Sequence, residues 1–191
     1  MRKIILASGS KARQRLLRQI GLRFRIEKSN VREEHLLTGS CRSLVMRNAV
    51  KKAADIAGKN GSGVVIAADT VVLVGNRIIG KPKNMKDAMR TLKTLSRKPQ
   101  WVYTGIAVVD IDKGRTYTDF DKTKVYIYRL DDRQIRSYFR KISPFDKAGS
   151  FDVQGPGSIF IDRIEGCFYN VVGLPLAKLA KLLKKTGVEI F

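Results

Sequence analysis

The amino-acid sequence predicts an α/β protein built on a mixed sheet. Strand-like and helix-like patterns alternate along the chain, which argues for sheet and helices sharing a core. One long hairpin, Trp101 to Ile111 and Tyr117 to Tyr128 about the turn Asp112-Lys113-Gly114-Arg115, is antiparallel by its connection. No internal repeat or low-complexity linker divides the 191 residues, so a single domain over 1–191, or two closely packed lobes, is expected.

Lys3 to Ala7 is a short apolar run that breaks at Ser8-Gly9-Ser10, and Leu16, Leu17 and Ile20 then share one helical face. This reads as a strand delivering a small-residue turn into a helix capped by Ser10. Leu22, Phe24 and Ile26 alternate with charged residues, the pattern of a half-buried strand. A polar stretch with Glu33, Glu34 and His35 leads to a helix from Ser40 to Gly58, whose apolar stripe is Val45, Ala49, Ala53 and Ile56. Val64 to Ala68 reads as a buried strand, interrupted by Asp69-Thr70 and resumed at Val71 to Val74, with Arg77 to Gly80 pairing back. Asn84 caps a helix carrying Ala88, Leu92 and Leu95, and Asp131 opens another with Ile135, Tyr138, Phe139 and Ile142 aligned. Within the glycine-rich segment Lys147 to Ile164, Ser158 to Ile161 reads as a strand. Pro175 and Gly187 frame the last helix.

Composition narrows the function classes. No apolar run approaches the ~18 residues of a transmembrane helix, and the apolar stretch after Arg2-Lys3 is too short for a signal peptide. Cys41 and Cys167 lack CxxC spacing and His35 is the single histidine, which argues against a disulfide scaffold and a Cys/His zinc site. A cytoplasmic protein with no membrane partner is expected. The 38 Lys plus Arg against 17 Asp plus Glu give a formal net charge of +21, which attracts polyanions. The cations are dispersed, from Arg13 to Arg18, at Lys51-Lys52, from Arg129 to Lys141 and from Lys178 to Lys185, with no basic tail and no RNA-recognition signature. That placement favours a phosphate-bearing ligand over specific nucleic-acid binding.

Several residues could carry chemistry, and each has a plainer reading beside it. Gly75 to Pro82 almost spells a phosphate-binding P-loop, but Pro82 stands where the magnesium-binding hydroxyl belongs and Ile78-Ile79 are strand-like. What remains is Lys81, either a phosphate contact or an ordinary surface lysine. Ser8-Gly9-Ser10 at a helix N-terminus, with Arg13 one turn on, is either an anion site or simple capping. Asp69 is either a turn residue between two strands or a buried carboxylate held for a purpose. Lys52 shares the apolar face of its helix and either snorkels its stem or pairs with a carboxylate. Glu33 and Glu34 are compatible with loop solvation.

Taken together, six ordered blocks resemble the Maf family of nucleoside triphosphate pyrophosphatases, related to the inosine-triphosphate pyrophosphatase fold. They are Leu6 to Ser10 with Arg13; Val31-Arg32-Glu33; Ala49 to Ala53 around Lys52; Ala67 to Val72; Gly80-Lys81-Pro82; and Asp146 to Gly149 through Gln154-Gly155, Arg163 to Gly166 and Asn170 to Leu176. The resemblance implies a long twisted mixed sheet flanked by helices, with a cleft between two lobes. It implies hydrolysis of a nucleoside triphosphate to monophosphate and pyrophosphate with a divalent cation, Mg²⁺ or Mn²⁺, and a homodimer. By resemblance Asp69 is the catalytic carboxylate, with Glu33 as second catalytic and metal-binding carboxylate, and Lys52 and Lys81 as catalytic cations. Ser8, Ser10 and Arg13 match substrate-binding positions, and Thr70 and Gln154 match the dTTP/UTP-type branch. The family's Ser-Pro-Arg-Arg reads Ser10-Lys11-Ala12-Arg13 here, so Ala12 replaces an arginine associated with substrate selection and opens the site to CTP or modified pyrimidines. Arg32 replaces a family aspartate. The competing expectation is a nucleotide- or nucleic-acid-binding regulator of cell division without turnover.

Overall fold

The computed structural model describes residues 2–34, 39–145 and 148–191; His35 and the Asp146-Lys147 pair lie outside them. Strands β1 (Ile4–Leu6), β2 (Arg25–Ile26), β3 (Val64–Val74), β4 (Arg77–Ile79), β5 (Gln100–Asp110), β6 (Arg115–Ile127) and β7 (Ile161–Glu165) form a seven-stranded sheet. Its order is β2-β1-β3-β5-β6-β7, with β4 paired to β3. β1 runs parallel to β2 and β3, whereas β4 on β3 and β7 on β6 are antiparallel, so the sheet is mixed. The helices are α1 (Lys11–Gln19), α2 (Cys41–Ala57), α3 (Met85–Leu95), α4 (Asp132–Lys141), α5 (Phe168–Val172) and α6 (Leu176–Lys185). No helix among the described residues is long and apolar enough to cross a membrane.

The chain forms two compact units, each assembled from separate stretches. The first comprises Met1–Thr70, Thr104–Asp121 and Val172–Phe191, and the second Val71–Tyr103 and Lys122–Val171.

In the first unit the core lies between α2 and the strands: Ala49, Ala53 and Ile56 pack on Ile5, Ala7, Val65, Ala67 and Ala107. Small side chains let the helix backbone come close to the sheet. At Gly105 there is no room for even a methyl, since a Cβ would lie 2.5 Å from the backbone of Val45 on α2. Ser40 starts α2 with a capping box, its side chain accepting from Ser43 N while Ser43 returns the bond. Arg2 crosses to the end of β5, donating to both oxygens of the fully buried Asp110 carboxylate at 2.9 and 2.5 Å, and also to Asp112 and to the Thr186 carbonyl.

The second unit packs larger side chains. Val72, Val102, Val125, Leu92, Leu95, Ile135, Phe139 and Phe151 share its core. Tyr138 meets Phe160 edge-on at 5.0 Å and accepts a 2.9 Å hydrogen bond from the Asp152 N–H. α3 and α4 open on side-chain caps, Asn84 accepting from Asp87 N and Asp131 from Gln134 N.

Three sequence expectations need correction. β3 is continuous through Asp69-Thr70, because the Asp69 carboxylate is taken up by α2 and the strand has no reason to turn. Pro156–Phe160 is a 3-10 turn rather than a strand, and the strand is β7 beyond it. Pro156 has no ladder donor, and Gly157 lies so close to Asp152 and Tyr138 that a Cβ there would meet the Asp152 carbonyl at 2.6 Å. The Leu22–Ile26 strand shrinks to Arg25–Ile26, both exposed. It stands at the end of the sheet and pairs with the last residues of a β1 that is itself three residues long. α5 has no counterpart in the sequence reading.

Candidate active site

The end of β1 delivers Ser8 into a buried position, and the chain turns through Gly9 into α1. Ser10 caps that helix, its hydroxyl accepting from Arg13 N at 3.4 Å, and its own N–H donates to Ser8 Oγ at 3.3 Å. Both readings of this turn are therefore compatible with it: the cap is present, and so are the backbone donors of a helix start. One turn into α1, the Arg13 guanidinium is pinned by three acceptors. Nε donates to the Gly173 carbonyl at 2.9 Å, Nη1 to Ser8 Oγ at 3.2 Å and Nη2 to Thr70 Oγ1 at 3.0 Å. Desolvation pulls its pKa below the ordinary value, and the charges of Asp69 and Glu33 work against that pull. It stays a cation, since a guanidinium does not deprotonate in proteins.

A second cluster joins the same strand from the helix side. Asp69, 5% exposed in mid-strand, accepts from Lys52 Nζ at 2.7 Å through one carboxylate oxygen and from Asn48 Nδ2 at 2.9 Å through the other. Lys52 Nζ also ion-pairs with Glu33 at 2.7 Å and makes a long 3.5 Å contact to the Ala68 carbonyl. Lys52 does not snorkel; it is buried and shared between two carboxylates. A lysine sealed in this way needs those partners, because an unpaired buried charge is costly.

Asn48 is the member that sequence reasoning missed. Besides Asp69 it holds both backbone groups of Glu34, accepting from the N–H at 2.9 Å and donating to the carbonyl at 3.0 Å. The loop that carries Glu33 is thereby tied to α2 and β3 through one carboxamide. Its signal was a polar residue four positions before Lys52, on the side of the helix that carries Val45, Ala49 and Ala53. Glu34 itself faces outward, where Lys51 and Arg47 hold its carboxyl below the usual range.

The structure thus brings Ser8, Ser10, Arg13, Thr70, Glu33, Lys52 and Asp69 into linked hydrogen-bond and ion-pair networks within the first unit. The Thr70 hydroxyl is engaged, accepting from Arg13 and sharing a 2.9 Å hydrogen bond with Thr104. Ala12 is half-buried on α1. Lys81 and Gln154 belong to the second unit: both are exposed, Lys81 just after β4 and Gln154 with its N–H donating to Asp152 at 2.9 Å. Cys41 is buried and Cys167 half-buried.

The donor set suits a hard divalent cation. Asp69 and Glu33 direct carboxylate oxygens at one shared cationic nitrogen, and Mg²⁺ is commonly held by one or two carboxylates plus phosphate oxygens rather than a full protein cage. Among the described residues no group of three or more His, Cys, Asp or Glu forms such a cage.

The Maf family model, described as Maf-like protein, matches residues 3–186. The chain is 43% identical to a dTTP/UTP pyrophosphatase of Methanosarcina barkeri, over 100% of this chain and 98% of that protein. It is 43% identical to one of Carboxydothermus hydrogenoformans, over 97% and 99%, and 42% identical to one of Bacillus anthracis, over 100% and 98%. Matched along nearly its whole length by the family model and by full-length relatives, the chain belongs to the Maf family.

Proposed function

We propose that this protein hydrolyses dTTP and UTP to the nucleoside monophosphate and pyrophosphate. The observation that carries the reading is Asp69, a carboxylate buried in an unbroken strand and clamped by Lys52 and Asn48. A strand needs no such group, and its desolvation is tolerated only because the surrounding residues are arranged around it. The full-length relatives named dTTP/UTP pyrophosphatase support the same substrate class.

In this reading Asp69 orients the attacking water and takes its proton as attack at the α-phosphorus proceeds. Lys52 has three donors; two are committed to Asp69 and Glu33, and the third makes only the long contact to Ala68, which leaves it for a phosphate oxygen. Arg13, fixed by Ser8, Thr70 and Gly173, presents a cation that costs no reorganisation when charge moves onto the leaving pyrophosphate. The Ser8–Ser10 turn and the first N–H groups of α1 bind phosphate oxygens. Asp69 and Glu33 would hold Mg²⁺ or Mn²⁺, which when bound neutralises phosphate charge and acidifies water. Lys81 adds positive charge to the polyphosphate. Gln154 favours a pyrimidine, since a carboxamide donates and accepts, Thr70 has one hydroxyl position left for the base beyond Arg13 and Thr104, and Ala12 widens the tolerance toward CTP or modified pyrimidines. The enzyme works in the cytoplasm, with its nucleotide substrates, and as a homodimer.

The test is the purified protein with Mg²⁺ or Mn²⁺ against canonical and modified nucleoside triphosphates, with pyrophosphate and monophosphate detected separately. Turnover of dTTP and UTP, abolished by EDTA, is expected. Release of orthophosphate and diphosphate, or a preference for 7-methyl-GTP or a plain purine, would refute it.

A further inference from the structure

In the second unit α3 and α4 pack against each other, and Lys93 of α3 ion-pairs with Asp132 of α4 at 2.6 Å. Both turn their apolar sides inward: Ala88, Leu92 and Leu95 on one, Ile135, Tyr138 and Phe139 on the other. Their outer sides are cationic. On α3, Lys86, Arg90 and Lys93 recur at helical spacing, and Arg97 follows one turn on. On α4, Arg133, Arg136 and Arg140 repeat the pattern, all three exposed. The two stripes converge around Asp132: Lys93 chiefly holds its carboxyl below the usual range, and Arg136 and Arg97 act in the same direction. Asp87 and Asp132 are the acidic residues of the two helices.

Stability does not call for this arrangement. Lys86 and Arg133 stand in the first turns of their helices, where the macrodipole disfavours cations. Arg133, Arg136 and Arg140 repel one another at three- and four-residue spacing. In the sequence these cations are two separate groups some forty positions apart; the packing of α3 on α4 makes them one surface.

We propose that the outer faces of α3 and α4 bind the phosphodiester backbone of a nucleic acid without reading its sequence. Arginine predominates in the stripes, and a guanidinium meets a phosphate with two parallel donors. Packed helices lie about 8–10 Å apart axis to axis, and one helical turn spaces the cations in each row by about 5.4 Å. A flexible chain with one phosphate per nucleotide can follow such rows. A lipid surface is the poorer match, because an interfacial helix turns apolar residues toward the membrane and both helices here bury theirs. This surface function is separate from nucleotide hydrolysis and does not rest on it.

The probe is a fluorescent single-stranded RNA of mixed sequence, about 16 nucleotides long, titrated with the full chain at several salt concentrations. Wild-type protein is expected to bind with log Kd rising linearly in log salt. The variant Arg133→Gln, Arg136→Gln, Arg140→Gln is expected to bind about 100-fold more weakly at 0.1 M salt, with a slope shallower by about 2, at roughly 0.7 for each phosphate no longer neutralised. A comparison variant, Lys181→Gln, Lys184→Gln, Arg115→Gln, removes the same charge from exposed positions in the first unit and is expected to bind like wild type. Nucleotide hydrolysis by the α4 variant should be unchanged, which also shows that it folds. If it fails to fold, Arg136→Gln alone should lower the slope by about 0.7. The proposal is overturned by absence of RNA binding, by equal weakening in both triple variants, by loss of hydrolysis in a folded α4 variant, or by a response to phosphatidylserine vesicles in place of RNA.

Discussion

In the first unit Lys52 is enclosed between Asp69 and Glu33, and Arg2 between Asp110 and Asp112, whereas in the second unit Arg133, Arg136 and Arg140 stand on a helix with solvent before them. The cores differ in the same sense. Alanines and a glycine bring α2 close to the strands in the first, while the second is filled by leucines, isoleucines and aromatic rings. A cation inside the protein is geometrically committed, because only the right partner makes its burial tolerable. A cation on the surface is free to move and costs the fold little. The buried charges of the first unit are thus held by fixed partners, while the arginine row of the second is left to attract anions diffusely.

The largest way to break that contrast is Asp69→Asn. The amide keeps the size but loses the charge, and it cannot accept from both Lys52 and Asn48, so one donor is left facing an N–H. Turnover should fall by at least about 10²–10⁴-fold, while the buried donor left facing an N–H should cost about 1–3 kcal/mol in thermal unfolding without preventing folding. Near-normal turnover would reduce Asp69 to a structural residue.

Removing Arg2 tests burial without catalysis. Arg2→Ala leaves the buried Asp110 carboxylate with Lys113 alone, its backbone N–H donating at 3.3 Å and its ammonium at 3.9 Å, and the cost should be about 3 kcal/mol in urea unfolding. Its pH dependence gives the sign. Arg2 holds the Asp110 carboxyl below its usual range, so the pair's stabilisation is complete above the unfolded value near 3.9 and is lost as the pH falls below about 4. Without Arg2 the buried carboxyl favours its protonated form, so the deficit of the variant relative to wild type should shrink on acidification. A deficit independent of pH would mean that Arg2 acts by packing alone.

In the second unit a comparable loss of polarity should matter less. Tyr138→Phe keeps the ring against Phe160 and removes the acceptor of the Asp152 N–H, costing about 1 kcal/mol. An effect as large as that of Arg2→Ala would erase the distinction between the units. The smallest effect concerns selectivity: Ala12→Arg should sharpen the preference for dTTP and UTP over CTP by several-fold with kcat for dTTP preserved, read from kcat/KM on each nucleotide. Equal changes on all three substrates would show that position 12 does not face the base.

Much of the fold was legible where one local rule decides. The helix starts at Ser10, Ser40, Asn84 and Asp131 and the apolar stripe of α2 mark their helices, and the 112–115 turn marks the long hairpin. What was not legible depended on a distant partner. Asp69 looks like a strand break in sequence because the donors that let it stay in the ladder, Asn48 and Lys52, lie on α2. Asn48 looks like an ordinary helix residue until its amide is seen holding Glu34 and Asp69 together. Ser158 to Phe160 has strand-like composition, and the close seating of Gly157 on Asp152 and Tyr138, which accompanies the turn, is not visible in it. The basic surface was hidden in the same way, split between two helices that only packing joins.

The missing side chain at position 105 sets a tolerance for the whole site. Val45, whose backbone rests where that side chain would be, stands three residues before Asn48 and seven before Lys52, on the same turn-by-turn line of α2. Any substituent at 105 is a wedge under the helix, and its displacement passes rigidly to both donors of Asp69. An ammonium at 2.7 Å has no slack to absorb even a modest lift. A glycine that touches neither substrate nor carboxylate thus acts as the gauge block of the active site, and the mutational target of this enzyme is wider than the residues that meet the nucleotide.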